Sequence, residues 1–165
     1  MSRFARIGVI SDTHVPARAK RIPEAVLKAF EDVQLILHAG DLSTLSVIEQ
    51  LEAYAPVEAV QGNVETPEVV ATVPLKRELV VADCTIGMLH ILGDGSRYEH
   101  NARREFPGAR VVVFGHSHVP YLHDTGDLLL LNPGSATDRR RQPHCTFAIL
   151  TITDSQPAAE IMTLL

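Results

Sequence analysis

Apolar residues fall in short runs along this chain, and the early runs each end on a small polar cluster. FARIGVISDTH predicts a buried strand, with Ile7, Val9 and Ile10 running into Ser11, Asp12, Thr13 and His14. IPEAVLKAFEDV predicts a helix, because Ile22, Val26, Phe30 and Val33 recur at helical spacing and Pro23 suits a first turn. QLILHAGD reads as a second short strand, ending on Gly40 and Asp41. TLSVIEQLEAYA reads as a second helix with Leu45, Ile48 and Leu51 on one face, and VEAVQGN as a third strand ending on Gly62 and Asn63. Strand, helix, strand, helix, strand is the signature of a parallel sheet with right-handed crossovers.

The pattern then changes. ELVVADCTIGMLH predicts a hairpin turning at Ala82 and Asp83. SRYEHNARREF predicts a helix opened by a Ser96–Glu99 capping box and stopped by Pro107 and Gly108. ARVVVFGHSH is a further buried strand. VPYLHDTGDLLLLNPGS and CTFAILTITDSQPAAEIMTLL then predict strands that turn at Thr125-Gly126 and around Ser155-Gln156-Pro157. An α/β beginning and an antiparallel end fit two sheets packed face to face, with helices outside. No internal repeat, low-complexity stretch or linker interrupts the chain, so one domain over residues 1–165 is expected.

Composition narrows the function classes. A chain of 165 residues can bury roughly two-thirds of its unfolded surface, and 45% apolar with 21% charged residues is globular rather than disordered. Tryptophan is absent, so Val, Ile, Leu and Ala must build the core. A net charge of −5 argues against broad binding to nucleic acid or an anionic membrane, both of which need a positive field. Cys84 and Cys145 share no C-x-x-C spacing and are expected to be reduced and packed. The apolar run near the N-terminus is too short for a signal peptide and no stretch approaches a membrane span, so a cytoplasmic location is expected.

The strand ends carry the chemistry. The first gives Asp12 and His14, the second Asp41 and the third Asn63; the hairpin gives His90, and the VVVF strand gives His116 and His118. In open α/β sheets, ligands sit beyond the carboxyl ends of strands. Each residue alone has a plainer reading: a turn for Asp12 and Asn63, a core histidine for His90. Together they converge on one rim, and residues two apart in an extended segment face the same side. All offer oxygen or imidazole nitrogen and none a thiolate. The set exceeds what one four-coordinate ion uses and suits two ions about 3.5–4 Å apart sharing a carboxylate.

The order SDTH, GD, GN, a single histidine and GHSH resembles the calcineurin-like metallophosphoesterases, and NPGS after the last motif resembles their small single-domain phosphodiesterase branch. That resemblance spans residues 7 to 135. It implies a four-layer α/β/β/α sandwich of two mixed sheets flanked by helices. It further implies a first metal on Asp12, His14 and His118, a second on Asn63, His90 and His116, and Asp41 bridging both. Asp41, Asn63 and His90 are accordingly the catalytic candidates. A hydroxide between two divalent ions would attack a small phosphodiester in line. The donor set suits Mn²⁺, Fe²⁺, Co²⁺, Ni²⁺ or Zn²⁺ better than Ca²⁺, and the resemblance points to Mn²⁺ first. Assembly as a homodimer or homotetramer is common in this branch.

Two departures bear on substrate. GNVE puts Val64 where phosphomonoesterase relatives often carry a histidine that protonates the leaving group, help typically worth ~10²–10⁴-fold. HILGDG puts Ile91 and Leu92 where small phosphodiesterases more usually read glycine and histidine. Val64 therefore favours a phosphodiesterase over a phosphomonoesterase or nucleotide hydrolase. His38 reads as a structural histidine rather than a ligand, and Glu65 as either a turn carboxylate or an orienting group. His100, His123 and His144 have no motif around them and read as surface or packing residues. Arg139, Arg140 and Arg141 read as solvated charge, with a phosphate contact open if their loop folds inward. The main competing reading is a protein-binding scaffold on the same fold, resembling the retromer scaffold subunit. A nuclease would bring extra domains and a basic groove, which neither length nor charge supports.

Overall fold

Val111, Val112 and Val113 are all fully buried, which one strand allows only if both its faces are covered. The computed structural model describes residues 3–165 and shows what covers them. In chain order the first half runs β1 (Phe4–Ile10), α1 (Glu24–Ala29), β2 (Leu35–His38), α2 (Ser46–Glu52), β3 (Val57–Ala59) and α3 (Pro67–Thr72). The second half runs β4 (Lys76–Val81), β5 (Cys84–Leu89), α4 (Tyr98–Glu105), β6 (Val111–Val113), β7 (Tyr121–Asp124), β8 (Leu129–Asn132), β9 (Cys145–Thr153) and β10 (Gln156–Leu164). One sheet has the order β10-β9-β1-β2-β3 and the other β4-β5-β6-β8-β7. Each is mixed: β1, β2 and β3 are parallel with β9 antiparallel to β1, while β5, β6 and β8 are parallel with β4 and β7 antiparallel at the edges.

Side-chain alternation sorts the core into three layers, as four stacked layers of elements require. Ile7 and Val9 of β1 and Ala148, Leu150 and Ile152 of β9 meet Ile86, Met88, Val111, Val113, Leu129 and Leu131 between the sheets. The opposite faces, Ile10, Ile36, Phe147 and Ile149, pack on Val26, Phe30, Val47, Leu51 and Val69 of the helical side. Val112 and Leu130 pack outward with Ala102 and Phe106 around α4. The four-layer α/β/β/α sandwich of two mixed sheets is therefore the observed fold, with three helices on one side and one on the other.

Three local expectations change. The turn between β9 and β10 lies at Asp154 and Ser155, both left-handed at φ 49° and 68°, so Gln156 and Pro157 open β10 instead. Pro157 is tolerated because β10 is an edge strand, where a missing N–H costs no ladder bond to a neighbour. Ser96 and Glu99 do not form a capping box: Asp94 accepts the Ser96 N–H at 2.9 Å and its hydroxyl at 2.8 Å, while Glu99 pairs with Arg103. Helix α3 has no counterpart in the hydrophobic pattern, because Val69 is its one buried residue. The Ala82-Asp83 hairpin turn stands as expected, at φ 49° and 62°. Cys84 and Cys145 are free thiols. No helix among the described residues is long and apolar enough to cross a membrane.

Candidate metal centre

Strands β1, β2, β3, β5 and β6 all deliver the residues after their last positions to one rim of the sandwich, and the seven strand-end residues meet there. Asp12, His14 and His118 bring ligand-type atoms within 4.8 Å of one another, and Asp41, His90 and His116 do the same beside them. Two carboxylate oxygens lie between the groups, the nearer being Asp41 Oδ2, 3.1 Å from His90 Nε2 and 3.5 Å from His14 Nε2. Asp12 Oδ1 sits 3.4 Å from His118 Nε2 and 3.7 Å from His90 Nε2. Asn63 Oδ1 is 3.2 Å from His116 Nδ1, a separation that suits two ligands of one ion as well as a hydrogen bond.

The residues fit a pair of cations. Asp12 Oδ1, His14 Nε2, His90 Nε2 and His118 Nε2 are buried and have no hydrogen-bond partner among the described residues. Leaving a buried polar atom unpaired costs about 1–3 kcal/mol, so four converging on one point imply a partner of positive charge. The second ring nitrogens fix which tautomer faces the cluster. His90 Nδ1 lies 2.7 Å from the Ala39 carbonyl and His118 Nδ1 2.5 Å from the Asp138 carbonyl, so each N–H points away and each Nε2 lone pair points in. Asp12 Oδ2 accepts the Ser11 hydroxyl at 2.6 Å and the His116 N–H at 3.1 Å, and Asp41 Oδ1 accepts the Val64 N–H at 2.9 Å.

Charge follows the same lines. Burial alone would raise the Asp12 and Asp41 carboxyls, but the neighbouring histidines outweigh it and hold both below the ordinary range. Burial depresses His14 and His116, whereas at His90 the Asp41 carboxylate overcomes burial and raises the imidazole.

The way these side chains converge differs from extended-strand alternation. β1 ends at Ile10 and β6 at Val113, and Asp12, His14, Asp41, His116 and His118 are all left-handed, at φ 55°, 44°, 57°, 75° and 63°. Gly115 is likewise required for space rather than for a turn. A Cβ there would collide with Ser11 Oγ and come within 2.6 Å of Asp12 Oδ2. Gly62 plays the same part beside Asp41, where a Cβ would strike its carboxylate.

Residues 5–155 match the calcineurin-like phosphoesterase superfamily domain. The chain belongs to that superfamily. A protein of Methanothermobacter thermautotrophicus named a probable metallophosphoesterase is 44% identical over 137 residues, which cover 79% of this chain and 77% of the relative. The crystal structure of a predicted phosphoesterase from Streptococcus pneumoniae aligns with a TM-score of 0.77 at 25% identity, covering 97% of this chain and 90% of that one. The zinc complex of Vacuolar Protein Sorting 29 from Entamoeba histolytica aligns with a TM-score of 0.74 at 22% identity over 96% of this chain and 98% of that one, a likeness of fold alone.

This member of the calcineurin-like phosphoesterase superfamily holds its rim with residues whose roles the motifs do not announce. Glu65 accepts the N–H groups of Ser43 at 2.7 Å, Gly62 at 2.7 Å and Asp41 at 3.1 Å, tying the GD and GN loops together. The orienting reading of Glu65 is the observed one. Ser135 Oγ donates to the Asp12 carbonyl at 2.8 Å and Thr137 Oγ1 to the Thr13 carbonyl at 2.7 Å, while Asn132 Nδ2 donates to the Gly115 carbonyl at 3.1 Å. NPGS and the residues after it therefore fasten SDTH to GHSH. Arg139, Arg140 and Arg141 are exposed, with Ser117 bordering the same cavity of about 410 Å³. His100, His123 and His144 are exposed, away from the cluster.

His38 is structural, as its sequence context suggested. It is fully buried, its Nδ1 accepts the Gly40 N–H at 3.1 Å, and its Nε2 lies 3.0 Å from Thr13 Oγ1. Burial pushes this imidazole from an ordinary 6.5 down to about 3. The unfolded chain takes up the proton that the folded one refuses. Stability from neutral His38 is thus fully present above about pH 6.5 and is lost as pH falls toward 3, at up to about 1.4 kcal/mol per pH unit. Urea denaturation of metal-free protein between pH 7 and pH 4 is expected to show that slope, flattened in His38→Gln. An unchanged slope in the variant would assign the loss to other groups.

Proposed function

We propose that the protein is a phosphodiesterase that cleaves small phosphodiesters with two divalent cations. Asp12, His14 and His118 would hold one, Asn63, His90 and His116 the other, and Asp41 both. The observation that carries this reading is the convergence of four buried ligand atoms that have no hydrogen-bond partner among the described residues, with Asp41 Oδ2 beside two of them. Such cations, when bound, neutralise phosphoryl oxygens and bring the pKa of water near neutrality. Nitrogen and oxygen donors without thiolate suit Mn²⁺ first, with Fe²⁺, Co²⁺, Ni²⁺ and Zn²⁺ as alternatives.

The chain's own residues supply position rather than protons. The Ala39 and Asp138 carbonyls hold His90 and His118 in one tautomer and one orientation. Glu65 keeps the Asp41 and Asn63 loops at fixed separation, the preorganisation on which a displacement at phosphorus depends. Val64 contributes its backbone N–H to Asp41 and has no side-chain proton for a leaving group. A diester whose alcohol departs readily as an oxyanion needs least from such a site, which favours phosphodiesters over unactivated monoesters.

The test is hydrolysis of bis(p-nitrophenyl) phosphate after chelator stripping and stepwise return of Mn²⁺. Turnover should vanish on stripping and return with the metal. Bound metal without turnover under any divalent cation would leave the protein-binding scaffold as the better account.

A further inference from the structure

A second cavity, of about 360 Å³, opens where the Asn63 and His90 side of the rim meets the β4–β5 hairpin. Its volume is that of a small-molecule site. Asn63 and His90 are among the residues that line it, so it borders the candidate metal centre. Leu75, Leu89 and Ile91 line it as well. Leu75 is 67% exposed and Ile91 48%, two large aliphatic side chains left facing water beside an opening. Covering them would be favourable in proportion to the apolar area removed from water.

The cavity offers little to a charged group. Its one cation, Lys76, is paired with Glu105 at 3.0 Å and lies 4.8 Å from the centre of the Phe106 ring. Its charge is already answered, and Glu105 beside it would repel an anion. The Arg139–Arg141 loop borders a different cavity next to Ser117. The rim thus has an apolar side at Asn63 and His90 and a basic side at Ser117.

We propose that the cavity between Asn63, His90, Leu75 and Ile91 binds one ester arm of the substrate, and that this arm is an uncharged aryl group. This rests on the phosphodiesterase reading. The valine at position 64 points the same way: its side chain has no proton to give a leaving arm, and an aryl oxide departs without one far more readily than an alkoxide.

The test uses the Mn²⁺-reconstituted protein and two inert probes, phenylphosphonate and methylphosphonate, whose dissociation constants are measured by titration calorimetry. Wild type should prefer the phenyl compound by about ten-fold or more, the scale on which an apolar pocket discriminates. Leu75→Ser and Ile91→Ser replace exposed side chains, so both should fold, and each should bring the ratio toward one. Equal affinity of wild type for both phosphonates would overturn the proposal while leaving the metal centre intact. So would a phenyl preference that neither variant alters, since the aryl group would then sit elsewhere. Failure of both phosphonates to bind would overturn it too, and the phosphodiesterase reading falls with it only if Mn²⁺ also restores no turnover of bis(p-nitrophenyl) phosphate.

Discussion

Asp41→Ala is expected to lower metal-dependent hydrolysis of bis(p-nitrophenyl) phosphate by at least about 10³-fold, the upper end of what one preorganised group is worth. The geometry explains the size. A single oxygen, Oδ2, lies 3.1 Å from His90 Nε2 and 3.5 Å from His14 Nε2, so one substitution removes the only carboxylate oxygen among the described residues that reaches a histidine of each group at 3.5 Å or closer. The other oxygen holds the Val64 N–H at 2.9 Å, which keeps the carboxylate from rotating away. A second readout does not depend on turnover. A ligand at a hundred times its dissociation constant stabilises a folded protein by about 2.7 kcal/mol, so Mn²⁺ should raise the melting temperature of wild type clearly. The variant should lose much of that rise. A variant that kept both turnover and the thermal shift would show that Asp41 does not join the two groups.

Glu65→Ala is expected to cost about 2–4 kcal/mol of stability, read as a lower urea midpoint. Its carboxylate is the acceptor for three backbone N–H groups, from Asp41, Ser43 and Gly62, and each donor stranded away from water carries about 1–3 kcal/mol. The lower end of that sum applies because the side chain is only partly buried and water can reach some of what it leaves. Turnover should fall about 10–100-fold as well, since the ligand-bearing loops lose their common anchor. Glu65→Gln separates the two effects. It keeps one acceptor oxygen but turns an NH₂ toward an N–H, so it should recover part of the stability and less of the turnover. A loss below about 0.5 kcal/mol in Glu65→Ala would place it with ordinary surface substitutions and refute the anchoring role.

The strands were legible because both sheets are covered on both faces. That burial writes VVVF and LLLL into the sequence as unbroken apolar runs, and parallel strands deliver the residues at their carboxyl ends to one rim. That the seven candidate residues would meet at one rim was legible for the same reason: His116 and His118 stand at the end of such a run, as do Asp12 and His14. Helix α3 was not, since Val69 alone is buried and one residue makes no period. Nor was the start of β10, where proline and glutamine look like turn residues and the edge position that admits them is a property of the sheet. The fastening residues were hidden by distance along the chain. Ser135 and Thr137 bond to carbonyls of Asp12 and Thr13, and no local pattern joins positions so far apart.

Five of the seven rim residues, Asp12, His14, Asp41, His116 and His118, sit in the left-handed region at a cost of order 1–3 kcal/mol each. No local preference would hold an isolated peptide of this sequence in that shape. Copying the side chains onto another α/β scaffold would therefore not reproduce the centre, because ordinary right-handed or extended loops would aim them apart. A workable graft would have to carry Glu65, Asn132, Ser135 and Thr137 with the loops, together with the glycines at 62 and 115 that leave room for the carboxylates. The transferable unit is the rim with its fastenings.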